Sequence, residues 1–88
     1  MLLISHRGNT NGTNTQDENK PDTIKKAISQ GYNVEIDVWK INNVLYLGHD
    51  SPMYEIHPDF LDIQELWCHA KNLSALEYML SKNVRCFW

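Results

Sequence analysis

Two histidines, His6 and His49, each come just after a short apolar stretch, 2–4 and 44–47. Imidazole is the side chain suited to moving protons near neutral pH. Between them Glu35 and Asp37 stand two residues apart, so in an extended segment both carboxylates point to one face. Strands of a parallel sheet are normally apolar on both faces, and two acids there call for positive charge. A hard divalent cation, Mg²⁺ or Ca²⁺, answers that need; so does an ion pair with Arg7 or Lys71. Arg7, beside His6, offers a planar fork to a phosphate or a partner to one of the acids. His57, next to Pro58 in a loop, reads as structural, and Trp39, Tyr46 and Trp67 read as packing.

The elements that must hold these residues follow from the pattern around them. Residues 2–6 form a buried strand that opens into a loop at Ser5-His6-Arg7-Gly8, and 9–19, without an apolar side chain, form a flexible surface loop above it. A helix spans 21–30: Pro21 suits its first position, Asp22 its first turn, Ile24, Ala27 and Ile28 form its apolar stripe, and Gly31 ends it. In the next strand Val34, Ile36 and Val38 fall on one face, opposite Glu35, Asp37 and Trp39. Asn42-Asn43 closes a two-residue hairpin to 44–47, and pairing about that turn brings His49 opposite Ile36. Residues 51–58, with two prolines, read as loop. A strand at 66–71 follows, then a helix at 73–82 capped by Asn72 with Leu73, Leu76, Met79 and Leu80 along one face, then a strand at 84–88. This order is the βαβ pattern, so the expected class is α/β, with 2–6, 34–39, 66–71 and 84–88 parallel in sequential order and the helices on one side.

With 88 residues the chain makes one unit, and 8 Lys plus Arg against 11 Asp plus Glu give a net charge of −3. No basic field exists to attract a nucleic acid. The apolar run at the start, residues 1–4, is too short for a signal peptide or a membrane span, so neither secretion nor membrane insertion is expected and the chain reads as cytoplasmic. Cys68 and Cys86 lack metal-site spacing and read as reduced core thiols. The sequence ends on Phe87-Trp88 inside an apolar strand. Such an open edge suits pairing with a missing C-terminal half or with another copy.

His6-Arg7-Gly8, Glu18-Asn19, Gly31, Glu35-Ile36-Asp37-Val38 and Gly48-His49-Asp50, in this order, resemble the motifs of the glycerophosphodiester phosphodiesterase family. The resemblance is dense from Leu2 to Asp50 and resumes at 66–71. It implies a partial TIM barrel of the phospholipase C-like phosphodiesterase type, about four of its eight parallel βα units with a hairpin after the second strand. Residues 1–88 would then be the N-terminal portion of such a domain. The resemblance further implies that His6 and His49 are general acid and base on a small-molecule phosphodiester substrate, with Arg7 and Lys71 on its phosphate. Glu35 and Asp37 would hold the metal, with Glu18 behind them. His69 stands where the family carries a third carboxylate ligand. Imidazole there shifts the expected ion from Mg²⁺ or Ca²⁺ toward Mn²⁺ or Zn²⁺.

The function expected on this basis is that of a metal-dependent hydrolase of lipid metabolism, cleaving glycerophosphodiesters to an alcohol and glycerol phosphate. The alternative is a catalytically inactive half-barrel that binds a metal or a phosphorylated ligand, or pairs with a partner through its open edge strand.

Overall fold

A computed structural model of the chain describes residues 4–7 and 18–88, with the backbone alone at Ser5 and His6. The expected start of the first strand at Leu2, Gly8 of the first motif and the loop at 9–17 lie outside the described residues.

The elements run β1 (Ile4–His6), α1 (Pro21–Ser29), β2 (Asn33–Ile41), β3 (Val44–Leu47), β4 (Tyr54–Ile56), a 3-10 helix (Pro58–Asp62), β5 (Leu66–Ala70), α2 (Leu73–Ser81) and β6 (Cys86–Phe87). Pro21, whose ring fixes φ and whose missing N–H costs nothing there, opens α1, and Gly31 leaves it at φ +93°. Asn42 and Asn43 both take positive φ, 51° and 68°, which a tight hairpin turn requires, and set the register Val38↔Leu47 to Ile41↔Val44. Asn72 caps α2 by accepting from the Ala75 N–H at 2.9 Å. The buried stripe of α2 is Ala75 and Met79, which leaves Leu73 and Leu80 on the flanks, each 60% exposed, rather than on the packed face expected for them.

One sheet contains all six strands. β1, β2, β5 and β6 are parallel in that order, as expected of them, while β3 adds antiparallel to β2 and β4 antiparallel to β3. β5 pairs with 34–38 of β2, β1 with 33–35 and β3 with 38–41; since each strand has two edges, β1 and β3 share the edge of β2 opposite β5. Val34, Ile36, Val38, Leu66, Cys68 and Ala70 form the core with Ile24 and Ala27 of α1 and with Ala75 and Met79 of α2. Both helices thus cover one face. Glu35, Asp37, Trp39, Trp67 and His69 alternate onto the other.

This arrangement overturns the half-barrel. The sheet is mixed, and the connection from β2 to β5 is two antiparallel strands and a 3-10 helix where a βα unit needs an α-helix. The class is roughly α+β. The physical cause lies in that connection: the Asn-Asn turn folds it straight back on β2, and Pro52 and Pro58 keep a long helix from forming. Within the expected loop, Tyr54–Ile56 adds as a third strand against β3, and His57 accepts from the Asp59 N–H at 3.2 Å to start the 3-10 helix. The last strand is shorter than expected. Among the described residues no helix is long and apolar enough to cross a membrane.

Candidate functional site

Asp37 is the centre of the polar face. It lies on β2 with 1% of its surface exposed, and three groups meet its carboxylate. Arg7, the residue after β1, takes φ 55° and donates from Nε to Oδ2 at 3.0 Å. Asn19 is fully buried at φ 61°; its Nδ2 donates to the same Oδ2 at 3.0 Å and its Oδ1 accepts from the Asp37 N–H at 2.9 Å. His69, the partner of Asp37 across the β2–β5 ladder, brings Nδ1 to 3.2 Å from Oδ1. A buried carboxylate is tolerated when its lone pairs are taken up in this way.

Around this centre Glu18 approaches Arg7 Nη1 at 3.5 Å, so two acids flank the guanidinium. The His69 ring stacks on Phe87 of β6, centroids 5.0 Å apart and planes 2° from parallel. His69, Ala70, Lys71 and Trp88 line an open hollow of about 340 Å³. All of this lies toward the carboxyl ends of the parallel strands, where sheets with parallel strands commonly bind ligands.

The expected residues meet it unequally. Arg7, Glu18, Asp37 and His69 come together, and Lys71 adjoins through the hollow. Glu35 shares the sheet face, half-buried, opposite His6 and Trp67 in register. The backbone of His6 is in place on β1, and its side chain lies outside the description. His49 follows Gly48, whose N–H donates to the Asp37 carbonyl at 3.1 Å, but β3 has ended at Leu47. The hairpin register therefore does not extend to pair His49 with Ile36. Instead the His49 ring, Nδ1 3.0 Å from Asp50 Oδ1, sits on a bend held by Trp39, whose indole N–H donates to the Gly48 carbonyl at 2.7 Å.

The chemistry of the donors tests the expected metal. Both oxygens of Asp37 are engaged by Arg7, Asn19 and His69, and a guanidinium cation already occupies the position that offsets its charge. Among the described residues no three His, Cys, Asp or Glu side chains converge as metal ligands. Asp37, with Arg7 and Asn19 on one oxygen and His69 on the other, fits an ion-paired carboxylate rather than an open metal ligand.

The sequence assigns no role to Asn19 beyond its place in the Glu18-Asn19 motif. A short amide that both donates and accepts is the available signal, but nothing in the chain marks it as the residue that meets the buried carboxylate; its complete burial is visible only once Asp37 is placed. Cys68 and Cys86 oppose one another on the core side and are free thiols. Burial, with the neighbouring Cys86, pushes the Cys68 thiol up to about 12, which makes it a poor nucleophile. No protein-family profile, curated protein or solved structure matches the chain.

Proposed function

We propose that the chain binds a glycerophosphodiester at the cluster of Arg7, Asp37 and His69 and hydrolyses it to an alcohol and glycerol phosphate. The observation that carries this is the held guanidinium. Asp37 and Glu18 engage Nε and Nη1 of Arg7, which fixes the plane of the fork and leaves its other N–H groups for a phosphate. Arg7 retains partial exposure, 24% of its side chain, so a ligand can reach it. Histidine positions flank β2 on both sides: the backbones of His6, at the end of β1, and His49, after β3, are on one edge, and His69 stands on β5 at the other. No step is assigned to a metal. The two free cysteines suit a reducing compartment, in keeping with a cytoplasmic site of action.

The test is ³¹P NMR of glycerophosphocholine incubated with the chain. Conversion of the diester resonance to that of glycerol phosphate is expected, slowed at least about 10²-fold in Arg7→Gln, as for loss of a group that stabilises developing charge. Absence of conversion by the wild-type chain would overturn the reading. A second reading, capture of a phosphorylated ligand without cleavage, is favoured by the engagement of both Asp37 oxygens. It expects the diester resonance to broaden and shift without conversion.

A further inference from the structure

In-line displacement at phosphorus places the entering and leaving oxygens on opposite sides, so the groups that exchange protons with them must stand opposite one another as well. β1 and β3 occupy the same edge of β2, which puts the backbones of His6 and His49 on one side of Asp37. His69 is on the other side, on β5. Its ring is also the one whose orientation is fixed twice: Asp37 holds Nδ1 at 3.2 Å, and Phe87 holds the plane by stacking. Asp37 in turn is pinned by Arg7 and Asn19 and cannot swing away. By contrast the carboxylate paired with His49, that of Asp50, is 94% exposed and holds its partner loosely.

On the reading of this site as a phosphodiester hydrolase, we infer that His69 is the general acid that protonates the departing alcohol, with Asp37 as its positioning residue. A carboxylate on Nδ1 keeps the proton there and stabilises the imidazolium, so the far nitrogen, Nε2, is the one that delivers. Nε2 has no hydrogen-bond partner among the described residues, and the ring lines the hollow that Lys71 and Trp88 share. In the step, a water molecule loses a proton to a histidine of the β1/β3 edge as its oxygen bonds to phosphorus. The bond from phosphorus to the alcohol oxygen breaks, and that oxygen takes the Nε2 proton of His69. One water and one diester give one monoester and one alcohol, and the two imidazoles return to their starting protonation by exchange with solvent. This assigns His69 the role of acid in place of the metal ligand expected from its position.

The experiment compares wild type and His69→Gln on two glycerol phosphate diesters, the choline ester and the p-nitrophenyl ester. Choline is a poor leaving group that needs a proton, and p-nitrophenolate departs without one. His69→Gln is expected to slow the choline ester by about 10²–10⁴-fold and the p-nitrophenyl ester by less than about tenfold. A merely structural role would slow both alike, and equal slowing overturns the inference. Side-chain ¹⁵N NMR supplies a readout independent of turnover: the wild-type His69 ring is expected to carry its proton on Nδ1, and Asp37→Asn to lose that preference. A wild-type ring without a proton on Nδ1 also overturns it. If the wild type cleaves both esters and His69→Gln changes neither, the hydrolase reading stands and the role of His69 falls. If the wild type cleaves neither, the hydrolase reading falls and takes this role with it.

Discussion

The Nε of Arg7 lies 3.0 Å from Oδ2 of Asp37, joining the end of the first strand to the middle of the second across thirty residues of sequence. The pair is unequal in exposure, 24% of the Arg7 side chain against 2% of Asp37. Removing the cation therefore leaves a buried charge that, among the described residues, Asn19 and His69 alone meet. Arg7→Gln is expected to lower the free energy of unfolding by about 1–3 kcal/mol, less than a fully buried pair would cost because water reaches the arginine. Urea denaturation measures this, and an unchanged midpoint would show that the pair contributes nothing.

Asn72 ties α2 to β2 as well as capping it. Its Oδ1 accepts from the N–H groups of Ala75 and Lys40, at 2.9 and 3.2 Å, and its Nδ2 donates to the Lys40 carbonyl at 3.0 Å. Asn72→Ala should cost about 2–3 kcal/mol, the loss of a cap plus that of a cross-element bridge. Asn72→Asp keeps the acceptor and loses the donor, so its unfolding midpoint should fall between the two. An aspartate variant as unstable as the alanine would contradict this.

Gly48 is confined by its neighbours. A Cβ there would run into the carbonyl oxygen of Ser51 and stand 3.1 Å from the Met53 nitrogen, both backbone atoms that cannot rotate away. Gly48→Ala should destabilise by about 1–3 kcal/mol and displace the bend that carries His49. Thermal melting and the amide resonances of residues 47–53 report the two effects, and a variant with native values in both would refute the close approach.

Much of this was legible in the sequence where a short-range rule governs. The alternation of Val34, Ile36 and Val38 with Glu35, Asp37 and Trp39, the Pro21 and Gly31 bounds of α1, the Asn42-Asn43 turn and the Asn72 cap are each set by neighbours a few residues apart. What failed depends on partners far along the chain. Tyr54–Ile56 becomes a strand because β3 offers it an edge, and Leu73 and Leu80 stay exposed because Ala75 and Met79 meet the sheet first. In the site, two acids at alternate positions read equally as a chelate or as partners for an arginine; the approach of Arg7 and Asn19 to Asp37 depends on residues far along the chain and is legible only in the fold.

Cys68 gives the fold a sensitivity to alkali. Its thiol is raised from 9.0 to about 12, first by burial and then by Cys86. The folded state thus holds the proton more tightly than the unfolded chain, so this contribution is full below pH 9 and is lost as pH rises toward 12. Unfolding free energy should fall over that interval in the wild type and fall less steeply in Cys68→Ala, measured relative to each protein's own value below pH 9. Parallel slopes would show that Cys68 does not titrate with unfolding.

The engaged state of Asp37 also bears on metals. A ligand that binds only the folded state raises its melting temperature. Mg²⁺ and Ca²⁺ should leave that of the wild type unchanged, whereas Arg7→Gln, which removes the cation from Oδ2 and leaves the Asn19 amide on it, should gain a dependence on them. A concentration-dependent rise in the wild type would mean that a cation displaces the partners of Asp37.

Titration of the ¹⁵N-labelled chain with glycerol phosphate asks directly whether Arg7, Asp37 and His69 form a phosphate site. The Arg7 Nε–H, the Asn19 side-chain amide and the His69 ring resonances are expected to move together and saturate with one dissociation constant. Shifts absent from all three, or confined to the hollow lined by Lys82 and Arg85 at the opposite ends of the parallel strands, would contradict it.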